Sequence, residues 1–500
     1  MSIKVLFQRF GFANNSSSSH SVVFTSRPEL DDVDGHFGWD FFTATSKESK
    51  ANYLLSTLYD NLIDLAFWRL KAFNHFKSYI GLDDDYLRNY VFDQIMKHPK
   101  MIEVFGTVES AETYDFNGID HQSIIALPIN HFTDEIDIDF FAELAKAMLN
   151  ENVAILGGND NTDESHPLSG EAPNWYNYLS VDNGFCNAKS MYDDFTDTWI
   201  LINNSGDETR ISFNDENKVI ERSGFPTLVD IKITDYCNQG CKFCYQSSTE
   251  DGKHAPYYGL GKNYSSTVIP IHNIAKMLKD TGSLQVVLGG GEPTKHPEIA
   301  QIISAFSKFN LSLTTRNYEW LSDNTYVPYW VENINSVAIS VTTPNDVKNA
   351  AKLKEILTAK KVTVSAQTIL GVTKATDVQQ FLEACVENGF KNVTFLGYKD
   401  FGLGTKYTPQ HLDNEWIAIA KEYSKAPHWL KISVDSVVVA QYGGALQDAG
   451  VPFEFLDCKE GKYSCYIDAV KGNLQASSFT DEFVQLPSNK DDFIKAWRAL

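Results

Sequence analysis

The chain has 500 residues, of which 43% are hydrophobic and 13% aromatic, and a formal net charge of −22 at pH 7. This length indicates about two or three domains, and the apolar share excludes a chain that is disordered throughout. The seven cysteines, three of them clustered, exclude a disulfide framework. No stretch approaches the roughly 18 apolar residues of a membrane span, and the first residues lack the apolar core of a signal peptide. We therefore expect a cytoplasmic, reduced location and no membrane partner.

The acidic charge is concentrated in the N-terminal half of the chain. Residues 1–222 contain 36 Asp and Glu against 16 Lys and Arg, and residues 101–200 contain 19 against two. Such a surface repels nucleic-acid phosphate, so we do not expect a nucleic-acid partner. It serves either as a solvated surface, which is the simpler interpretation, or as a docking face for a basic peptide or protein.

Several patterns predict that residues 1–222 form an N-terminal α/β (α+β) domain. Residues 121–130, 140–152 and 153–161 have the patterns of a strand, an amphipathic helix and a strand, and so predict one βαβ unit. Residues 198–213 predict a hairpin whose turn is Asn204 to Asp207. The role of this domain is open, and substrate recognition is one candidate.

Three polar loops in this half are candidates for a second site. They span Ala13–Ser21, Gly118–Ser123 and Gly157–Asn161. Their candidate metal ligands and acid–base groups are His20, Asp120, His121, Asn159 and Asp160. The alternative is that these side chains only cap helices and stabilise turns.

The most informative motif is a cysteine loop that follows the apolar run LVDIKIT. Cys237, Cys241 and Cys244 have the spacing C-x3-C-x2-C, and thiolates favour zinc, copper(I) or iron–sulfur clusters. A closed structural zinc site or cubane cluster uses four thiolates. Three leave one coordination position free for another ligand. The alternative is a zinc site completed by another residue, such as His254.

A second motif follows about 40 residues later, in the segment SLQVVLGGGEPTKHPEIAQIISAF. Its pattern predicts a strand, a glycine-rich turn and a helix. Glycines let the backbone approach a ligand closely, and a carboxylate with backbone carbonyls suits an ammonium group. Together with aromatic Phe243 before the last cysteine, the two motifs resemble the radical S-adenosylmethionine (SAM) superfamily.

The resemblance implies the cofactors and their ligands. The three thiolates would hold one [4Fe–4S] cluster, and the fourth iron would chelate the amino and carboxylate groups of SAM. The amino group of the methionine part would bind the turn of Gly290, Gly291, Glu292 and Pro293.

Residues 223–441 alternate short β-branched runs with segments of helical period, which predicts a parallel sheet. The six predicted strands resemble the partial (β/α)6 barrel of this superfamily, so the fold class is α/β. Chemistry in α/β barrels gathers at the C-terminal strand ends. By position, the resemblance puts near SAM the residues Arg316, Asn317, Ser340, Thr342, Gln367, Ile369, Gly371 and Leu396. The alternative for each is an ordinary strand-end or core role.

Residues 442–500 are predicted to form a small C-terminal cap. The segment LDCKEGKYSCYIDAVKGNLQASSF resembles the twitch or SPASM extension of peptide-modifying radical SAM enzymes. Ser477 stands where that pattern has a cysteine. An auxiliary cluster would have to use Cys458 and Cys465 with Cys186 or Cys385. We therefore expect a degenerate cap without an auxiliary cluster, in which Cys458 and Cys465 are buried or form a redox-active pair.

The resemblance implies an oxygen-sensitive enzyme that cleaves SAM reductively to a 5′-deoxyadenosyl radical and abstracts a hydrogen atom from its substrate. Its reductant would be a flavodoxin or ferredoxin. The expected substrate is a peptide or protein side chain, and the alternative is a nucleotide or small metabolite. A third hypothesis is a non-catalytic binding protein whose cysteine loop holds a structural metal. Such a protein would have no use for the glycine-rich turn.

Four residues just after the cysteine loop could line the substrate cavity or deliver a hydrogen atom: Tyr245, Tyr257, Tyr258 and His254. The oligomeric state is open.

Overall fold

The computed structural model divides the chain into two compact units. The first comprises Met1–Gln8, Asn14–Tyr192 and Asp197–Val219, and the second Arg9–Ala13, Asp193–Thr196 and Ile220–Leu500. The structure describes residues 4–9, 23–25, 31–33, 42–69, 84–107, 119, 125, 127–133, 135–151, 153–157, 189–202, 206, 208–213, 221–258, 268–322, 327–410, 412–425, 427–451, 456 and 460–500. The sequence boundary predicted at residue 222 lies near the start of Ile220–Leu500, and the one predicted at residue 441 lies inside that segment.

The first unit combines helices with two sheets. Its elements are β1 (Lys4–Arg9), β2 (Val23–Thr25), β3 (Phe42–Ala44), α1 (Lys47–Arg69), α2 (Asp84–Met96), α3 (Pro99–Phe105), β4 (Ile129–Asn130), α4 (Ile138–Met148), β5 (Ala154–Gly157), β6 (Lys189–Asp193), β7 (Thr198–Ile202) and β8 (Glu208–Ser212). The strand order is β1-β8-β7-β6-β4 in one sheet and β2-β5-β3 in the other.

The hairpin predicted in this unit is confirmed, and the βαβ unit is wrong. Strands β7 and β8 pair antiparallel, with Trp199 opposite Ile211, and Gly206 has φ +82°. The other predicted turn residues, 204, 205 and 207, lie outside the described residues. Strands β4 and β5 do flank α4, but they lie in different sheets, and β5 pairs antiparallel with β2 and β3. The local pattern predicted the elements correctly and could not predict their partners.

Helix α4 shows how the sequence produces this core. Asp137 caps its N-terminus by accepting a hydrogen bond from Phe140 N at 3.0 Å. Apolar residues recur with helical period on its buried face. The Phe140 ring lies 5.4 Å from that of Trp199 and 5.8 Å from that of Phe213. The helix therefore packs its apolar face on the sheet that contains β7 and β8.

The second unit alternates strands and helices. Its elements are β9 (Leu228–Thr234), α5 (Ile271–Thr281), β10 (Gln285–Gly290), α6 (Ile299–Ala305), β11 (Asn310–Thr315), β12 (Ser336–Ser340), α7 (Pro344–Ala359), β13 (Thr363–Ile369), α8 (Val378–Glu387), β14 (Asn392–Leu396), α9 (Glu415–Tyr423), β15 (Lys431–Val434), α10 (Ser436–Asp448), β16 (Ser464–Asp468), β17 (Asn473–Gln475), β18 (Val484–Gln485) and α11 (Lys490–Arg498).

These strands form one sheet, in the order β15-β14-β13-β12-β11-β10-β9-β16-β17-β18. Strands β9 to β14 are the six predicted strands, and each pairs in parallel with its neighbour in sequence, which confirms the predicted α/β fold class. The structure adds β15 beside β14 and β16 beside β9, both in parallel. The C-terminal segment, predicted to be a cap, therefore contributes a strand to the barrel sheet.

The barrel helices cover this sheet with apolar side chains, and their ends follow ordinary capping chemistry. Helix α5 ends at Gly282, which has φ +89°. Helix α7 begins with a capping box between Thr343 and Asp346. No helix within the described ranges combines the length and the apolar character that crossing a membrane requires.

Candidate active site

A cavity of about 420 Å³ opens at the C-terminal ends of β9 to β14. Because parallel strands end at the same edge of a sheet, this is where side chains from distant parts of the chain meet. The predicted site residues that line it are Cys237, Cys241, Phe243, Cys244, Gly290, Gly291, Glu292, Pro293, Arg316, Ser340, Thr342, Gln367, Ile369 and Leu396. The structure therefore brings both motifs and the strand-end residues to one place.

The cysteine loop is held by backbone hydrogen bonds on both sides. Cys237 N donates to Thr249 O at 2.9 Å, and Leu403 N, from the loop after β14, donates to Cys244 O at 2.9 Å. All three cysteines are free and partly exposed. The loop thus presents three thiols to the cavity from a backbone that two neighbouring segments fix.

The chemistry of these thiols suits a cluster that binds thiolates. Burial raises the pKa of Cys237 and Cys241, while the nearby Arg316 guanidinium favours the thiolate of Cys241. Iron–sulfur binding would replace these protons. Within the described residues, no three His, Cys, Asp or Glu side chains converge on a single ion. A cubane cluster needs no such convergence, because each thiolate binds a different iron.

The glycine-rich turn is bonded directly to the start of the cysteine loop. Gly291 N donates to Thr234 O at 2.7 Å, and Glu292 N donates to Tyr236 O at 2.8 Å. A Cβ on Gly291 would overlap the carbonyl oxygen of Tyr236. Gly290 has φ +133°, and a Cβ there would overlap the carbonyl oxygen of Thr234. These two positions require glycine because two backbones touch there.

Glu292 is 1% exposed, and its carboxylate joins the ends of β10 and β11. One oxygen accepts from Thr294 N at 3.2 Å and from the hydroxyls of Thr294 and Thr315, both at 2.7 Å. The other accepts from Arg316 N at 2.9 Å. A buried carboxylate with four donors is firmly oriented. Glu292 therefore stabilises the turn at the position predicted to bind the methionine amino group.

The strand-end side chains form two hydrogen-bonded sets. Arg316 donates to Thr342 Oγ1 at 2.8 Å and to Asp346 Oδ2 at 3.2 Å. Gln367 Nε2 donates to Ser340 Oγ at 2.8 Å across the β12–β13 pair. Both sets are polar groups held at the cavity wall by partners on an adjacent element.

Two residues predicted to contact SAM lie outside the cavity lining. Asn317 is 7% exposed, and its side chain donates to Thr294 Oγ1 at 3.0 Å. Gly371 has φ +88°, and its N–H donates to Thr373 O at 3.2 Å. Their observed contacts support the glycine-rich turn and the loop after β13.

Part of the lining was not predicted from the sequence. The loop after β14 provides Tyr398 and Lys399, and β9 provides Asp230 and Lys232. The C-terminal segment contributes Glu460, Tyr466 and Ser478, and the start of α10 contributes Asp435 and Ser436. Burial raises the pKa of both Asp435 and Glu460. No local motif marks these residues, and those of the C-terminal segment lie beside the barrel strands because β16 pairs with β9.

A buried ion-pair group lies where β9 and β16 meet. Lys232, 5% exposed, pairs with Asp235 and lies 3.5 Å from the carboxylate of Asp468. Asp468 also accepts hydrogen bonds from Val470 N at 3.1 Å and Lys471 N at 3.0 Å. The group therefore connects the strand before the cysteine loop with the C-terminal segment.

The other candidate residues are placed as follows. Tyr245 lines the cavity, whereas Tyr257, Tyr258 and His254 do not; His254 Nδ1 lies 2.8 Å from Thr234 Oγ1. Cys385 in α8 and Cys465 in β16 are both buried in the apolar core. Several candidates lie outside the described residues: Cys186, Cys458, His20, Asp120, His121, Asn159 and Asp160.

The buried histidine behind this site predicts a pH dependence of stability. His296 donates from Nε2 to Ala255 O at 2.9 Å, and its Nδ1 accepts from Glu298 N at 3.1 Å, so the neutral ring is required. Burial lowers the pKa of His296 from 6.5 to about 4. The unfolded state therefore binds a proton at this histidine more readily than the folded state does. The contribution of neutral His296 to the free energy of unfolding is complete above pH 6.5 and decreases as the pH falls towards 4. At pH 5 the expected loss is about 2 kcal/mol.

Melting temperatures of the wild type and His296→Gln, measured from pH 7.5 to 5, test this expectation. The variant should have a lower melting temperature than the wild type at pH 7.5, and its melting temperature should fall less on acidification. Burial also lowers the pKa of His254, so part of the dependence of melting temperature on pH should remain in the variant. Identical slopes for the two proteins would contradict the assignment.

The profile described as the radical SAM superfamily matches residues 231–399, which span the cysteine loop and strand ends β10 to β14. Residues 231–399 carry a radical SAM domain. The match confirms the predicted resemblance and, for this domain, the predicted enzyme class and the cofactors, a [4Fe–4S] cluster and SAM.

A search of curated proteins finds no match. Among solved structures, Streptococcus suis SuiB bound to precursor peptide SuiA is 16% identical, with a TM-score of 0.40, over 55% of this chain and 66% of SuiB. anSMEcpe with bound AdoMet is 16% identical, with a TM-score of 0.36, over 54% of this chain and 83% of that one. anSMEcpe with AdoMet and Kp18Cys peptide is 14% identical, with a TM-score of 0.35 and the same coverage. The chain thus spans slightly less than two thirds of the length of SuiB.

Proposed function

We propose that this chain cleaves SAM reductively and uses the resulting radical to abstract a hydrogen atom from a substrate. The observation that carries the proposal is the cavity itself. Three thiols, the glycine-rich turn and the ends of β11 to β14 all face one space of about 420 Å³. A structural metal site would need the thiols alone.

When bound, a [4Fe–4S] cluster supplies the electron that converts SAM to methionine and a 5′-deoxyadenosyl radical. Cys237, Cys241 and Cys244 would hold it, and Arg316 favours the thiolate of Cys241. The turn bonded to Thr234 and Tyr236 would receive the amino group of SAM through its backbone.

The other predicted residues of the cavity lining form a polar group and an apolar group. Ser340 and Gln367 offer a hydroxyl and an amide for the ribose and the carboxylate. Phe243, Ile369 and Leu396 offer an apolar wall for adenine, a flat and weakly polar ring. In this arrangement the protein binds and orients SAM, and the cofactor supplies the chemistry.

We propose a peptide or protein side chain as the substrate and a flavodoxin or ferredoxin as the electron donor. Two features support the substrate class. The C-terminal segment resembles the extension of peptide-modifying enzymes and contributes Tyr466 and Ser478 to the cavity lining. The N-terminal half carries a large excess of acidic residues, which favours basic peptides.

The activity is tested anaerobically. The full chain is reconstituted with iron and sulfide, reduced with dithionite and given SAM, and 5′-deoxyadenosine is quantified. We expect Cys241→Ala to reduce product to background, because a cluster ligand is lost. Cys385→Ala is the matched control, since it removes a thiol buried in α8, away from the cavity. A wild-type protein that incorporates four irons per chain and yet forms no product would overturn the proposal.

The substrate class is tested by stimulation of SAM cleavage. Lysine-rich peptides, glutamate-rich peptides of the same length and a set of nucleotides are added to the reconstituted enzyme. We expect the basic peptides to stimulate most, and less so at high salt. Stimulation by nucleotides alone would refute the peptide assignment and leave SAM cleavage itself intact.

A further inference from the structure

Among the residues that the structure describes, three tyrosines line the cavity, and their hydroxyl groups have different partners. Tyr398 donates its hydrogen to backbone carbonyls, at 2.5 Å to Gly404 O and 3.2 Å to Tyr407 O. Tyr466 donates to Gln246 Oε1 at 3.4 Å. Tyr245 instead accepts, from Gln246 Nε2 at 3.0 Å. Among these hydrogen bonds, Tyr245 therefore contributes its oxygen and keeps its own hydrogen for another partner.

Gln246 bridges the two phenols and sets the direction of both hydrogen bonds. Its amide oxygen accepts from Tyr466 and its amide nitrogen donates to Tyr245. Tyr466 is 7% exposed, on the inward face of β16 opposite Asp230 of β9. Burial raises the pKa of Tyr466, so its hydroxyl stays protonated as a donor. The C-terminal strand thereby fixes the amide that orients Tyr245.

Tyr245 is also fixed by the segments around it. It directly follows Cys244, whose carbonyl accepts from Leu403 N at 2.9 Å. A Cβ on Gly402 would overlap the carbonyl oxygen of Tyr245, so the two backbones are in contact. Lys399 Nζ lies 4.9 Å from the centre of the Tyr245 ring and 4.6 Å from that of Phe479. A reactive group needs this kind of support to keep a defined geometry.

We propose that Tyr245 delivers its phenolic hydrogen atom to a carbon radical in this cavity, with Gln246 and Tyr466 as positioning residues. The inference rests on the proposed function, which supplies the radical. The O–H bond of Tyr245 breaks homolytically and a C–H bond forms. The carbon radical is reduced by one electron, and Tyr245 is oxidised to a neutral phenoxyl radical. Transfer is downhill because a phenol O–H bond is weaker than an alkyl C–H bond.

The donor must then be restored. The phenoxyl radical takes one electron from the flavodoxin- or ferredoxin-type donor and one proton from solvent. The Gln246 amide donates to the same oxygen before and after transfer, so it needs no rearrangement. The net outcome is replacement of the abstracted hydrogen by one derived from solvent. This places the reaction among inversions and rearrangements at a carbon centre, without net oxidation of the substrate.

The test needs no substrate, because in the empty cavity the 5′-deoxyadenosyl radical itself is the carbon radical. Reconstituted full-length protein is equilibrated in D₂O, reduced with dithionite and given SAM. We expect singly deuterated 5′-deoxyadenosine from the wild type, since the Tyr245 hydroxyl exchanges with solvent. Tyr245→Phe should lose this label. Tyr257→Phe is the matched control, because Tyr257 lies outside the cavity lining, and it should keep the label.

A spectroscopic readout accompanies the isotope measurement. Samples frozen during turnover should show a tyrosyl radical by electron paramagnetic resonance, and the signal should be absent in Tyr245→Phe. Placing 3,5-difluorotyrosine at position 245 should add fluorine hyperfine splitting, which tests the assignment even if Tyr245→Phe folds poorly. Tyr466→Phe should change the splitting of the radical, because Gln246 loses its donor; a merely structural role would leave it unchanged.

The outcomes separate this inference from the proposed function. No 5′-deoxyadenosine from the wild type would overturn the proposed function and the inference together. Unlabelled product from the wild type, or labelled product from Tyr245→Phe, would overturn only the role of Tyr245.

Discussion

Replacing Gly291 with alanine is expected to reduce SAM cleavage by about a hundredfold or more. The new Cβ would overlap the carbonyl oxygen of Tyr236, which is backbone and cannot rotate away. The overlap would force apart the glycine-rich turn and the start of the cysteine loop. It would also strain the hydrogen bonds from Gly291 N to Thr234 O and from Glu292 N to Tyr236 O. The cysteine loop, which would hold the cluster, and the glycine-rich turn, which would bind SAM, would then move apart.

The measurement is 5′-deoxyadenosine formation together with the iron content and melting temperature of the variant. Gly289→Ala is the matched control for folding, because a Cβ at Gly289 meets no atom within 4 Å although Gly289 lies only two residues before Gly291. We expect Gly291→Ala to melt at a lower temperature than Gly289→Ala. Wild-type activity and stability in Gly291→Ala would show that the two backbones do not touch in solution.

Replacing Asp468 with asparagine is expected to destabilise the second unit by about 3 kcal/mol, because it breaks a buried ion pair. Lys232 would lose one of its two carboxylate partners while remaining 5% exposed. The asparagine would direct an N–H group, rather than an oxygen, towards the ammonium of Lys232. Its single amide oxygen, at the Oδ1 position, would still accept from Val470 N and Lys471 N, so the turn after β16 should form as before.

Chemical denaturation of the wild type and Asp468→Asn measures this difference. Lys471→Ala is the matched control, because Lys471 lies 3.8 Å from the same carboxylate but is 64% exposed. Exposed pairs contribute little, so this variant should denature like the wild type. Equal destabilisation by both variants would contradict the assignment of the buried pair as the stabilising one.

Much of the candidate site could be predicted because its signals are local in the chain. The three cysteines occupy one short loop, and all three line the same cavity. The glycine-rich turn requires close backbone approach at Gly290 and Gly291, and only glycine allows it. The alternation of strands and helices from β9 to β14 is likewise a property of short segments, and it was sufficient to predict the parallel sheet.

Predictions failed or were missing where the answer depended on pairing between distant segments. Strands β4 and β5 were predicted correctly as strands, yet they joined different sheets. Asn317 lies two residues beyond the end of β11, and its side chain donates to Thr294 Oγ1 and does not line the cavity. The period of a strand gives its exposed and buried faces, and it carries no information about which strand lies beside it.

The amino-acid sequence by itself predicted the radical SAM domain, its cofactors and most of the residues expected to hold them. Only the tertiary structure decided that β16 pairs with β9, so that Tyr466 faces Gln246 and Asp468 faces Lys232. More than 200 residues separate Tyr466 from Gln246. Their contact follows from the burial and hydrogen bonding of a whole sheet, which no short motif encodes. The physical reason is that a ligand-binding motif specifies local geometry, whereas the wall opposite it is set by the packing of the complete chain.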